Sequence, residues 1–426
     1  MRYQPLSSGF YESNRKQFFK LMRSGSVAVF LSNDVIPTNA DASYFYRQNN
    51  DLFYYTGIEQ KETSLLMIKE KNGEELCKLF ITRPDKLTPI WTGQKLTKNK
   101  ANSISGISDI LWTAAYEKEL RIGLETWELL YLSGNPATVN RIIKTPTERL
   151  ALWCQIEFPS IEIISEPFHQ LRLIKSKEEI DRIQKACDIT SNGFIRSLEY
   201  IKSGMKEYEI EAELSRDYLK EGSSGFAYEP IIASGSNTCI LHYTLNNKVC
   251  KKGDLLLMDI GANYGMYAAD LTRTVPVSGT FTSRQKAVYK SVLNIQKFAM
   301  SILKPSLKML EYNQAIQKLM ESELVSLKLL TKTDIKNQDP KHPAFRKYFM
   351  HGTSHQLGLD VHDVGGKIYD HFVKNMVIKV EPGIYIKHEK IGIRIENDVA
   401  ITKNGMRDLM INTPIEIEDI EERMNA

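Results

Sequence analysis

The sequence predicts an α+β protein of two domains, residues 1–170 and 171–426. Three observations carry this. The chain has 426 residues, whereas one domain usually takes roughly 100–200. The composition changes near residue 170: Trp91, Trp112, Trp127 and Trp153 all precede it, while seven of the eight histidines follow it and His169 marks the seam. Beyond that seam, well-capped helical patterns alternate with strand-like runs, whereas the first part mixes short apolar runs with a helical pattern into a smaller α/β domain.

In the first domain a helix is expected over Tyr11–Met22. Ser26–Leu31, Ser64–Ile68 and Leu76–Ile81 read as short buried strands, with Asn72-Gly73 as the hairpin turn between the last two. In the second, Ser176 and Glu179 form a capping-box signature. Ile180, Ile183, Cys187, Phe194 and Leu198 continue it as a helical stripe ending near Gly204. A second helix covers Glu207–Glu221. A third starts at Thr282 with Gln285 and carries Val288, Val292, Ile295 and Ala299.

Composition excludes several classes. Lys+Arg 56 against Asp+Glu 52 leaves a net charge of +4 and no basic block, so no nucleic-acid partner is expected. No run of about 18 apolar residues occurs, so no membrane span is expected. Cys77, Cys154, Cys187, Cys239 and Cys250 are scattered and odd in number, against a disulfide framework or a cysteine zinc site. The N-terminal stretch has no apolar signal core, and a cytoplasmic protein is expected.

The chemistry concentrates in two hairpin patterns. Leu255–Ile260 and Met266–Thr274 are strand-like runs around Gly261–Gly265. A turn centred between Tyr264 and Gly265 puts Asp259 directly opposite Asp270, with Cβ atoms about 4.5–5.5 Å apart. Two carboxylates that close repel unless a cation lies between them; the plain alternative is an exposed pair flanking a loop. Met376–Ile386 and Ile391–Ile401 repeat the arrangement. A turn centred between His388 and Glu389 pairs Glu381 with Glu396, although Pro382-Gly383 interrupts the ladder. Both glutamates sit among apolar residues, where a carboxylate is costly unless paired or coordinated. Nearby, HGTSHQLGLDVHD supplies His351, His355 and His362. The spacing of the first two imitates the zinc-helix pattern, but Gly352 stands where its glutamate would be and Gly-Thr-Ser is poor helix material. Two aspartates, two glutamates and a histidine form an oxygen-rich set suited to two divalent ions of the manganese, cobalt or zinc type.

The motifs ILHYT (Ile240–Thr244), MDIGANYGMYAADLTRT (Met258–Thr274), HGTSHQLGLDVHDVGG (His351–Gly366), VEPGIYI (Val380–Ile386) and GIRIEND (Gly392–Asp398) resemble those of Xaa-Pro aminopeptidase. This is a member of the pita-bread metallopeptidases, which also include prolidase, methionine aminopeptidase and creatinase. YFYRQNNDLFYYTGIEQKE (Tyr44–Glu62) resembles that family's N-terminal domain. The resemblance implies a pita-bread catalytic domain, a curved antiparallel sheet flanked by helices. It also implies two divalent ions per chain, Mn²⁺ first and Co²⁺ or Zn²⁺ as alternatives, and cleavage of peptides between an N-terminal residue and proline.

Residue by residue, it implies Asp259 as a ligand to one ion, His355 and Glu381 as ligands to the other, and Asp270 and Glu396 as bridges. Glu381 would also carry the proton from water to the leaving nitrogen. His362 would stabilise the tetrahedral intermediate, while His242 and His351 would line the proline side. Arg394 would orient an acidic ligand or the substrate backbone, with a surface arginine as the alternative, and Tyr385 would flank the proline pocket. Trp91 would border the active site of a neighbouring subunit in a homodimer or homotetramer, with a core aromatic as the alternative. The short connection between Glu381 and Glu396 departs from several relatives and alters one wall of the cleft. A prolidase restricted to dipeptides is the competing reading. A non-catalytic module and creatinase are disfavoured by the complete ligand set, and methionine aminopeptidase by the N-terminal domain.

Overall fold

The computed structural model describes residues 2–85, 88–133, 143–165, 168–365 and 369–426; Gly366 of the histidine-rich motif lies outside them. Two compact units emerge, 5–171 and 1–4 with 172–426.

The first unit is built on a six-stranded sheet. Its strands are β1 (Ser26–Leu31), β2 (Ser64–Lys69), β3 (Glu75–Ile81), β4 (Ile110–Trp112), β5 (Leu129–Leu132) and β6 (Glu162–Ile164), in the order β4-β3-β2-β1-β5-β6. The three expected strands form its antiparallel centre, and parallel strands flank them on both sides. Val27, Ala28, Val29 and Phe30 are all buried, as a central strand covered on both faces requires. One face meets the opening helix, where Phe18 packs edge-on against Phe30. The other holds Val27, Val29, Leu130 and Leu132 against Leu120, Leu150 and Cys154. The helix begins at Ser8 rather than Tyr11. Gly73 makes the expected turn with a left-handed φ of +89°.

In the second unit both anticipated capping boxes form. Ser176 Oγ accepts from Glu179 N at 3.2 Å while Ser176 N donates to Glu179 Oε2 at 2.8 Å, opening a helix over Lys177–Tyr200. Thr282 and Gln285 do the same for Ser283–Ile302, and the intermediate helix runs Glu207–Lys220. A further helix, Met309–Ser326, was not anticipated; its buried stripe is Tyr312, Ile316, Met320 and Leu324, a strict four-residue spacing.

These helices accompany two antiparallel sheets. β7 (Ile231–Ser234), β8 (Leu255–Ile260) and β11 (Leu271–Pro276) form one, with the short pair β9 (Asn263–Tyr264) and β10 (Tyr267–Ala268) at the tip of its hairpin. β12 (Ser354–Gln356), β13 (Val377–Val380), β16 (Asn397–Ile401) and β17 (Met406–Asp408) form the other, and the hairpin β14 (Gly383–Ile386) with β15 (Ile391–Arg394) extends from its middle.

The first hairpin corrects the expected register. It turns at Gly265-Met266, with φ of +58° and +73°, so Tyr264 pairs with Tyr267 and Asp259 pairs with Thr272, not Asp270. A type I′ turn, which matches strand twist, needs positive φ at both central positions, and the alternative two-residue turn needs it at the first. Centring it one place earlier would have forced bulky Tyr264 into that conformation. The resulting slip of two residues keeps every side chain on its original face. The second hairpin has the expected register throughout, from Ile386 opposite Ile391 to Val377 opposite Ala400. Pro382-Gly383 divides it into two ladders without shifting it, because Ile395 N still reaches Pro382 O at 3.2 Å.

Arg273 joins the two sheets. Its side chain is fully buried, and it donates to Pro414 O at 2.8 Å, Glu396 O at 2.7 Å and Asn397 Oδ1 at 2.8 Å. Glu396 N also reaches across to Thr272 O at 3.1 Å.

Candidate metal centre

One face of the β12-β13-β16 sheet gathers charge by simple periodicity. His355 pairs with Lys379 and Lys379 with Asp398, so these three share a face. Glu381 lies two residues beyond Lys379 and Glu396 two before Asp398, so both point the same way. Facing them, β8 presents Asp259, and Asp270 sits in the break between β10 and β11.

Asp259 and Asp270 are neighbours although not cross-strand partners, and the Tyr228 hydroxyl joins them at 2.6 and 2.8 Å. Asp270 Oδ2 lies 3.5 Å from His355 Nε2, and Glu381 Oε2 lies 3.9 Å from that nitrogen. His355 Nδ1 is held by Gln356 O at 2.9 Å, which leaves Nε2 directed at the carboxylates. Carboxylate oxygens of Asp259, Asp270 and Glu396 come within 4.8 Å of one another. Glu396 Oε2, although 2.9 Å from Lys379 Nζ, is buried with no donor aligned on it. Convergent hard oxygens, one imidazole nitrogen and an incompletely satisfied carboxylate fit divalent cations.

Electrostatics show the cost of this crowding. Burial and the Glu396 charge push Glu381 up to about 8 and Asp259 up to about 7. Asp270 moves the other way: burial opposes its charge, but Lys379 and His355 outweigh it and hold the carboxyl below its ordinary range. Burial opposes the charge of Lys379 as well, yet Asp270, Glu396 and Asp398 keep its ammonium well above the usual lysine value.

A cavity of about 570 Å³ opens onto this cluster. Asp259, Asp270, His355, Glu381, Glu396, His242, His351, His362 and Arg394 all line it. The rings of His362 and His355 lie 4.4 Å apart. Burial, then the charge on His355, lowers the His362 pKa, which favours the neutral ring.

The structure also places the three residues expected at the substrate. Arg394 is 4% exposed and its guanidinium is taken up by Asp259 at 2.5 Å, Glu396 at 2.8 Å, Thr272 Oγ1 at 3.2 Å and the Tyr385 hydroxyl at 3.1 Å. It orients acidic side chains, one of the two roles expected, and is no surface residue. Tyr385 is not a lining residue. Its ring is buried and its hydroxyl bridges Arg394 to His351 Nε2 at 2.8 Å, so it braces that histidine from behind. Trp91 belongs to the 5–171 unit, where it is 82% exposed on the short helix Thr88–Trp91 and is therefore no core aromatic.

Sequence reasoning missed Tyr228, Lys379 and Asp398. Nothing in the sequence marks Tyr228. Lys379 and Asp398 were readable as charges at the second position from Glu381 and Glu396 in strands otherwise apolar.

The family model for metallopeptidase family M24 matches residues 181–403, and that for the aminopeptidase P N-terminal domain matches residues 11–131. The Xaa-Pro aminopeptidase of Escherichia coli is 34% identical, over 98% of this chain and 97% of its own length.

The chain belongs to metallopeptidase family M24.

Among solved M24 relatives, E. coli aminopeptidase P with the inhibitor Pro-Leu superposes with a TM-score of 0.90 at 32% identity, covering 99% of both chains. The zinc-substituted form of that protein in complex with product also gives 0.90 at 32% identity and 99% coverage of both. The expected α+β class and the pita-bread catalytic fold are thereby shown, as is a metallopeptidase that binds divalent metal. No helix among the described residues is long and apolar enough to cross a membrane.

Proposed function

We propose that this chain is a two-metal Xaa-Pro aminopeptidase, which removes the first residue from peptides with proline in second place. The observation that carries the reading is the convergence of Asp259, Asp270, His355, Glu381 and Glu396 on one cavity in a full-length relative of such enzymes. These five residues would hold the ions, Asp259 at one, His355 and Glu381 at the other, and Asp270 and Glu396 shared between both. Mn²⁺ is the first choice, with Co²⁺ or Zn²⁺ as alternatives; the zinc-substituted E. coli relative supports tolerance of the last. Divalent ions held there supply Lewis acidity toward the scissile carbonyl and lower the pKa of water.

The chain's own residues do the rest. Glu381 takes a proton from the attacking water and delivers it to the proline nitrogen. That nitrogen carries no hydrogen in the peptide and cannot depart as an amine without one. His362 donates to the oxygen on which negative charge develops. His351, fixed by Gly352 O at 2.8 Å and by the Tyr385 hydroxyl, and His242 form the proline side of the cavity. A proline ring fits there at low entropic cost because its φ is already restricted. We further propose a cytoplasmic homodimer or homotetramer in which Trp91 borders a neighbouring active site; its exposure supports this.

Product analysis by mass spectrometry with Mn²⁺ present tests the specificity. Xaa-Pro-Yaa is expected to be cut between Xaa and Pro, while Xaa-Ala-Yaa and acetyl-Xaa-Pro-Yaa are poor substrates. Equal cleavage of the alanine peptide would indicate a general aminopeptidase. Cleavage of Gly-Pro with none of longer peptides would indicate a prolidase.

A further inference from the structure

The family chemistry accounts for the ligands but not for the ammonium group among them. Lys379 is fully buried in the middle of β13. Its Nζ lies 2.9 Å from Glu396 Oε2 and 3.2 Å from Asp270 Oδ1, and it donates to the Asp270 carbonyl. Glu396 and Asp270 are the two carboxylates, one from each hairpin, that the two-metal reading assigns to both ions. The fourth neighbour is Asp398, whose Oδ1 is 3.7 Å from Nζ and whose Oδ2 accepts from Asp270 N at 2.9 Å and faces Cys187 Sγ at 3.4 Å.

An ammonium and a divalent ion draw on the same carboxylate electron pairs. A carboxylate oxygen that already faces an ammonium nitrogen is a poorer ligand, and like charges a few ångströms apart in a buried site repel strongly. Four proposed ligand carboxylates carry about −4 when ionised, and Lys379 with Arg394 offsets half of that before any ion arrives. Arg394 divides its charge between Asp259 and Glu396 and faces the side of Asp259. Among the described residues, the ion pairs of Lys379 are with the shared carboxylates and their neighbour Asp398. It therefore acts on the part of the centre that the second ion needs.

We propose that Lys379 is a built-in third cation of the metal centre, which competes for the shared carboxylates and weakens binding of the second divalent ion. This rests on the two-metal reading. A merely structural lysine would behave oppositely, since removing it would loosen the carboxylates and weaken both sites.

The test is calorimetric titration of the metal-stripped, full-length chain with Mn²⁺, followed by metal analysis after gel filtration in metal-free buffer. The wild type is expected to retain one ion and to bind a second at least tenfold more weakly. Lys379→Met is expected to bind the second ion at least tenfold more tightly than the wild type and to retain two. Because that variant strands the Asp398 charge, which opposes folding, the double variant Lys379→Met/Asp398→Asn is run beside it. The introduced amide oxygen keeps an acceptor for Asp270 N, and the same gain is expected. Unchanged or weaker second-ion binding in the folded double variant overturns the role of Lys379. A wild-type chain that binds no Mn²⁺ overturns the two-metal reading itself.

Discussion

The hairpins β8–β11 and β13–β16 do the same job by different means. The first turns tightly through two left-handed residues and places its carboxylates diagonally, Asp259 inside the ladder and Asp270 in a break. The second turns through Lys387–Lys390 and keeps one register past Pro382-Gly383, placing Glu381 and Glu396 at the gap between two ladders. In the first, one candidate ligand lies where regular pairing stops; in the second, both do. A carboxylate inside a continuous sheet has its geometry set by the strand; one at an interruption can turn both oxygens toward ions. The difference teaches that the break, more than direct opposition, makes the site.

The sharpest way to break the comparison is to remove one carboxylate from each hairpin. Asp270→Ala and Glu396→Ala are each expected to abolish binding of the metal pair and reduce turnover by at least about 10³, because the proposed two-metal centre shares each of these carboxylates between its ions. Metal analysis showing two ions per chain in either variant would separate the hairpins' roles. A smaller effect is expected outside both hairpins. His362→Ala should retain metal and lose about 10²–10³ in kcat, as expected for one lost oxyanion donor; steady-state kinetics on metal-replete protein checks this.

Smaller again is the effect of the Tyr228 hydroxyl, which only the first hairpin uses. Tyr228→Phe should weaken metal affinity about tenfold, in the range typical of groups that orient ligands, as read by titration. The turns give the smallest and most diagnostic contrast. Lys390, with φ of +56°, is largely solvated, whereas Met266, with φ of +73°, is buried. Lys390→Gly should stabilise by about 0.5–1 kcal/mol by relieving the left-handed backbone. Met266→Gly should destabilise by about 2 kcal/mol, because the lost thioether burial outweighs the same relief. Urea unfolding of the two variants measures both signs.

Much of this centre was legible before the fold. The period of two along MVIKVEPGIYI and IGIRIENDVAI was enough to bring Glu381 and Glu396 together, since a four-residue connection left little choice of register. The first hairpin was less legible. Its register depends on which residue accepts positive φ, and Met266 is an uncommon choice that only the packing around it explains. The faces survived the error because the slip was even. Arg394 was legible as a neighbour of the acidic residues, whereas Tyr385 was expected at the pocket wall and instead stands behind His351, since burial depends on partners from distant strands. Met309–Ser326 escaped notice because no capping side chain announces it.

Arg273 has a consequence for how the two ligand-bearing hairpins come apart. Its charge is fully buried, and it is satisfied by carbonyl and amide oxygens while β11, Glu396, Asn397 and Pro414 remain together. Peeling either hairpin away would maroon that guanidinium, at several kcal/mol for an unpaired buried charge. Local fraying of either hairpin is therefore disfavoured. The two hairpins that carry the candidate ligands are tied into one cooperative unit, which opens together or not at all.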